Sequence, residues 1–204
     1  TGHKINVINS SDGKITPEGI QQVIDSHTDE HMVKPKVVFI SNTTEVGTIY
    51  KKKELENIYE TCKKNDLYLY LDGARLGSAL CSKESDLTLP DISKLVDVFY
   101  IGGTKNGALL GEAIVINNKD LQSNFRYQLK QRGALLAKGR VLGTQFLGLF
   151  TDNLYFELAK HANEMASKLS KSLLDRGYKF LTQPVSNQIF PILPNTQIEE
   201  LQKQ

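Results

Sequence analysis

Three short stretches of this sequence combine residue types that do chemistry together. Ser41-Asn42-Thr43-Thr44-Glu45-Val46-Gly47 offers an amide and several hydroxyls. Asp72-Gly73-Ala74-Arg75 offers a carboxylate with a cation three residues on. Gly102-Gly103-Thr104-Lys105-Asn106-Gly107 sets an amine among glycines. Glycines let the backbone bend and let a flat ligand come close. A lysine held there can be neutral and nucleophilic, which imine formation with a carbonyl requires. A carboxylate such as Asp72 can hold a protonated ring nitrogen, the partner that a pyridoxal ring needs to act as an electron sink.

Each residue alone has a plainer reading. Asp72 also reads as a cap of a following helix, Lys105 as a turn lysine in solvent, and Arg75 as a surface residue of a helix. Gly102 to Gly107 matches G-x-x-x-x-G, but no Lys-Ser/Thr follows the last glycine, which argues against a phosphate loop. His27 and His31 are spaced i, i+4, yet Thr28 stands where a zincin motif needs glutamate. They read as a solvated helix end, and no metal site is expected. Lys51-Lys52-Lys53 reads as a solvated helix start, His161 as structural, and Asp86 and Asp91 as loop residues and caps. The weight rests on the constellation, because all three stretches follow strands.

The elements that must position these groups follow from local pattern. Lys4 to Ile8 is β-like, and Ser10 to Gly13 is a turn. Thr16-Pro17 opens a helix to about Asp25, with a hydroxyl cap and proline in the first turn. Lys36 to Ser41, Leu67 to Asp72, Asp97 to Ile101 and Glu112 to Ile116 are predicted strands. Lys51 to Asn65 is a predicted helix, with Leu55, Ile58, Tyr59 and Cys62 on one face. Ile92 to Leu95 is a short helical piece. This alternation predicts an α/β fold with a largely parallel sheet covered on both faces, whose functional groups collect at the C-terminal strand ends. Beyond Asn118 the chain turns mostly helical, with Leu154, Leu158, Ala162, Met165, Leu169 and Leu173 in one long stripe. Gly177 stops that helix. Tyr178 to Leu181 and Gln188 to Leu193 read as short strands, and Thr196 to Gln204 as a helix. A boundary between 1–150, a large domain, and 151–204, a connecting helix with part of a smaller domain, is expected.

Composition narrows the class. The 204 residues carry 25 Lys and Arg against 23 Asp and Glu, a formal charge of +2, which argues against nucleic-acid binding through a broad basic surface. No apolar run approaches the roughly 20 residues of a membrane helix. Thr1 to Ser10 has no apolar centre and is no signal peptide, so a cytoplasmic setting is expected. Cys62 and Cys81 form no redox or metal motif, and two free thiols fit a reducing compartment.

The segments LYLYLDGARLGSAL (Leu67 to Leu80) and DVFYIGGTKNGALLGEAIVI (Asp97 to Ile116) resemble the threonine aldolase and aromatic amino acid β-eliminating lyase family, pyridoxal-phosphate enzymes of the aspartate-aminotransferase fold. The likeness extends through Ile40 to Gly47 and Gln131 to Gln145. It implies a three-layer α/β sandwich with a mostly parallel sheet, the fold-type I large domain, and the start of a small α+β domain. Glu112 to Ile116 would be an antiparallel strand after the lysine turn. The resemblance implies that Lys105 is the Schiff-base lysine, that Asp72 pairs with the pyridinium nitrogen, and that Arg75 helps hold the substrate carboxylate. Asn42 and Thr104 are implied cofactor-binding residues. Lys138 and Arg140 fall where the family has basic residues that reach a cofactor phosphate, often from a neighbouring subunit. The implied reaction is retro-aldol cleavage of L-threonine or L-allo-threonine to glycine and acetaldehyde, in a homodimer or homotetramer with shared sites.

The chain departs from the family by what it lacks. The upstream Gly-Thr phosphate-binding stretch and ring-stacking histidine are not in it, and neither is the downstream second carboxylate-binding arginine. Thr1-Gly2-His3-Lys4 resembles the segment just after the stacking histidine, and His3 is no substitute for it. The expectation is an internal piece of an enzyme. β-Elimination, transamination on the same fold, or an inactive fragment are the alternatives.

Overall fold

In the computed structural model, which describes residues 2–203, a four-stranded sheet has the order β1-β2-β3-β4. The strands are β1 (Val37–Ser41), β2 (Tyr68–Asp72), β3 (Val98–Gly102) and β4 (Glu112–Ile116). The first three are parallel, and β4 pairs antiparallel with β3, as the resemblance implied. Helices intervene as the alternation predicts: α1 (Pro17–Asp25), α2 (Lys52–Lys64), α3 (Leu76–Leu80) and α4 (Leu89–Leu95). A 3-10 turn (Lys119–Leu121) leads to α5 (Phe125–Gln131) and α6 (Arg140–Phe150). A second 3-10 turn (Thr151–Asn153) leads to α7 (Leu154–Asp175). A separate antiparallel pair, β5 (Lys179–Phe180) and β6 (Pro191–Ile192), precedes α8 (Asn195–Leu201). Among the described residues, no helix is long and apolar enough to cross a membrane.

Local chemistry accounts for the helix starts. The Thr16 hydroxyl accepts the Gly19 amide at 3.3 Å, with Pro17 in the first turn of α1. At α2 the Glu54 carboxylate accepts the Lys51 amide at 2.7 Å. At α4 Thr88 and Asp91 form a reciprocal capping box. One face of the sheet, carrying Val38, Ile40, Leu69, Leu71 and Phe99, meets Leu55, Ile58, Cys62 and Ile92 in the main core. Each such aliphatic side chain contributes roughly 1.5–3 kcal/mol by leaving water.

Three sequence readings come out differently. Lys4 to Ile8 forms no strand: Ile8 packs against the core while Ile5 and Val7 stay exposed, so the segment lies over the core without a ladder to join. The α7 stripe does not point inward. Leu154, Leu158, Met165 and Leu169 are exposed, although Leu158 reaches Gly107 of the lysine turn, and the face that packs carries Tyr155 and Ala159, because Gly77 of α3 lies against them. The sheet face opposite the main core leaves Val37, Phe39 and Ile114 exposed.

One buried carboxylate ties the layers together. Asp97 is 4% exposed. Its oxygens take the Lys63 ammonium from α2 at 2.7 and 2.8 Å, the Leu69 amide from β2 at 2.8 Å, and the Asn118 side-chain amide at 2.8 Å. Burial opposes its charge, but these donors outweigh burial and hold its carboxyl below the usual value of 3.8. A second constraint lies at the strand ends. A Cβ on Gly102 would stand 2.3 Å from the Ala74 carbonyl oxygen, and one on Gly73 would collide with the Tyr100 carbonyl. Only glycines let these two strand ends meet.

Replacing Asp97 with alanine strands Lys63 and the Leu69 amide, and costs about 3–5 kcal/mol by urea denaturation. Because the folded carboxyl titrates below the unfolded one, its contribution is present above the unfolded value. It disappears as pH falls through the lower, folded value, so acid unfolding of Asp97→Asn is flatter below about pH 4. Gly102→Ala forces β2 and β3 apart and destabilises the fold by roughly 1–3 kcal/mol in the same assay.

Candidate active site

The C-terminal ends of β1, β2 and β3 bring the three predicted stretches to one edge. The Asn42 amide donates to the Asp72 carbonyl at 3.0 Å and the Gly102 amide to the Gly73 carbonyl at 2.9 Å, so the ladder runs past the strand ends. Strand parity puts Ser41, Asp72 and Gly102 on the same face as Phe39, Tyr70 and Tyr100. Phe39 and Tyr70 stack there at 5.3 Å.

Asp72 is half-buried. Its Oδ1 accepts the Ala74 amide at 2.9 Å and the Tyr100 phenol at 2.5 Å. Among the described residues nothing bonds Oδ2. Burial, and then the bond to Asp72, push the Tyr100 phenol well above its usual value, so it is the donor of that pair. Arg75 sits half-buried at the cap of α3 with no ion pair among the described residues. Asp72 is therefore not the cap residue of α3.

Lys105 projects from an exposed turn that other residues make rigid. The Asn106 and Ala108 amides return to the Gly103 carbonyl at 2.9 and 3.0 Å. The Glu112 carboxylate at the start of β4 accepts the Gly103 amide at 2.5 Å and the Thr104 hydroxyl at 2.9 Å. Behind the turn, Tyr155 of α7 is fully buried. Its hydroxyl donates to the Gly102 carbonyl at 3.1 Å and accepts the Gly77 amide at 3.2 Å, and its carbonyl takes the Asn106 side chain at 2.8 Å.

The other predicted residues divide. Asn42 is buried, and its Oδ1 accepts the Tyr50 amide at 3.3 Å, which leaves its Nδ2 as the available donor. Thr43 donates to Gln188 at 2.6 Å, and the Thr182 and Ser186 hydroxyls donate to the Val46 and Gly47 carbonyls, so the segment after β5 clasps the loop after β1. Thr104 is exposed and turned to Glu112. Lys138 and Arg140 are exposed at the start of α6, with no side-chain bond to the strand ends among the described residues. His27 lies beyond α1, bonded to the Val23 carbonyl, and His31 pairs with exposed Asp29, so the two histidines do not share a helix face.

Sequence reasoning missed Tyr100, Glu112 and Tyr155. A signal existed for Tyr100: it is two residues before the end of β3 and shares the parity of Asp72 on β2. Glu112, which opens β4, and Tyr155, 50 residues beyond Lys105, had no such local signal. The donor set fits a pyridoxal phosphate: among the described residues, an amine without a partner, an arginine at the cap of α3, and a carboxylate with one oxygen free, at or just beyond adjacent strand ends.

Known proteins resemble this chain over most of its length. Residues 1–194 match the model of the beta-eliminating lyase family. The low specificity L-threonine aldolase of Pseudomonas aeruginosa is 37% identical over 201 residues, 98% of this chain and 58% of that protein. The structure of Leishmania major threonine aldolase superposes with a TM-score of 0.97 at 52% identity, covering all of this chain and 59% of that one. A Thermus thermophilus aspartate aminotransferase, at 14% identity and a TM-score of 0.61, shares the fold alone. The chain thus spans somewhat more than half the length of these two threonine aldolases. It belongs to the beta-eliminating lyase family.

Proposed function

We propose that this chain supplies the central cofactor-binding part of a pyridoxal-phosphate lyase that cleaves L-threonine or L-allo-threonine to glycine and acetaldehyde. The observation that carries the reading is the meeting of Asp72, with one free carboxylate oxygen, and the braced Lys105 turn at adjacent ends of a parallel sheet. The threonine aldolase relatives supply the choice of substrate. Pyridoxal phosphate, when bound, supplies the electron sink for the pair released as the Cα–Cβ bond breaks.

The residues of this chain do the rest. Lys105 Nζ is the amine that would hold the cofactor through its carbonyl carbon. Asp72 Oδ2, left without a partner among the described residues, would accept the ring N–H and hold that proton in place. Arg75 meets the substrate carboxylate as a planar two-pronged donor. Asn42 and Thr104 lie on either side of this edge and are the neutral hydrogen-bonding candidates. Lys138 and Arg140, exposed at the start of α6, would serve the cofactor phosphate of a neighbouring subunit in a homodimer or homotetramer.

Incubation with pyridoxal phosphate, borohydride reduction and peptide mapping places the pyridoxyl group on Lys105, and Lys105→Ala loses it. In the holoenzyme Asp72→Asn lowers the rate of acetaldehyde formation by about two to four decades, the equivalent of a broken buried pair of roughly 3–5 kcal/mol. Label scattered over surface lysines in the holoenzyme overturns the cofactor site. Ammonia and an oxo acid in place of acetaldehyde overturn the aldol reaction in favour of elimination.

A further inference from the structure

The Asp72 carboxylate is held by one oxygen only. Oδ1 takes two donors, the Ala74 amide at 2.9 Å and the Tyr100 phenol at 2.5 Å, while Oδ2 has no partner among the described residues. The amide alone would leave the carboxylate free to turn about its side-chain bonds. The phenol comes from the neighbouring strand, so the two donors together fix the plane of the carboxylate. Tyr100 is itself fixed by the β3 ladder to β2 and β4. Its burial comes first and then Asp72, Glu112 and Tyr70, the ionisable groups that act on it among the described residues; all of them keep the phenol protonated as the donor.

We infer that Tyr100 is a positioning residue: its hydroxyl saturates Asp72 Oδ1 and thereby aims Oδ2 at the ring nitrogen of the bound cofactor. The inference rests on the cofactor reading above. A hydrogen bond to a charged group has a large effect when the charge is half-buried. Losing it lets Oδ2 wander and lets Oδ1 compete for the same proton.

The test is a double-mutant cycle on the holoenzyme, with pyridoxal phosphate itself as the probe. Tyr100→Phe removes one oxygen and keeps the ring, and thermal melting of the apo form checks that the fold is unchanged. Two quantities are read: the pyridoxal phosphate dissociation constant, and the pH midpoint of the visible absorption band of the bound cofactor. The expected result for Tyr100→Phe is binding weakened about 10-fold, the order expected for one charge-assisted hydrogen bond, with a displaced pH midpoint. In an Asp72→Ala background the same substitution has no further effect on either quantity, because the phenol acts only through the carboxylate. If Tyr100→Phe leaves both quantities unchanged, or changes them equally with and without Asp72, the positioning role is overturned. If Asp72→Ala by itself leaves affinity and midpoint unchanged, it is the cofactor reading that fails. The first failure leaves Asp72 as the ring partner and the second does not, so the two are distinct.

Discussion

The site depends on a backbone contact too close for any side chain. At the ends of β2 and β3, Gly73 and Gly102 face each other across a 2.9 Å hydrogen bond, and a Cβ on either would run into the other strand. This contact sets the separation of the two strand ends. It brings Tyr100 within reach of Asp72 and starts the lysine turn immediately beyond. Glycine is used here for its lack of volume and not for an unusual backbone angle. Parallel pairing is the other half of the constraint, since it carries all three chemical stretches to one edge.

The turn that presents Lys105 is rigid for reasons lying outside it. Glu112 holds its outer side through two charge-assisted bonds, and Tyr155 holds its inner side through the Gly102 carbonyl and the Asn106 amide. Clamped from both sides, an exposed lysine keeps a defined base while its amine stays reachable. The clasp of residues 182–188 over the loop after β1 does the same for the first stretch. Each brace comes from a different part of the chain, so the site is assembled by tertiary packing around short local motifs.

Asp97 shows the same logic applied to stability. It is a buried charge just before β3, neutralised by Lys63 and hydrogen-bonded on both oxygens. Unpaired, such a group would carry a large desolvation penalty. Paired, it connects α2, β2 and the segment after β4 at one point.

Much of this was legible in the residues alone. The four strands, α1, α2 and the long α7 follow from local composition, capping residues and glycine stops, which act over a few neighbours. Asp72, Lys105 and Arg75 were legible as candidates because strand-end position and residue type are both local properties. Lys4 to Ile8 misled because β-branched content does not supply a partner strand. The α7 stripe misled because periodicity reports an apolar face without saying which side will be covered. Tyr100, Glu112 and Tyr155 lie 28 residues after Asp72, 7 after Lys105 and 50 after Lys105, respectively. Their bonds to the site depend on register and on packing between elements. The sequence by itself determined which groups could react and at which strand ends they would stand, because those follow from short-range chemistry. Only the tertiary structure decided how the groups are aimed, because direction comes from partners that folding brings in from elsewhere in the chain.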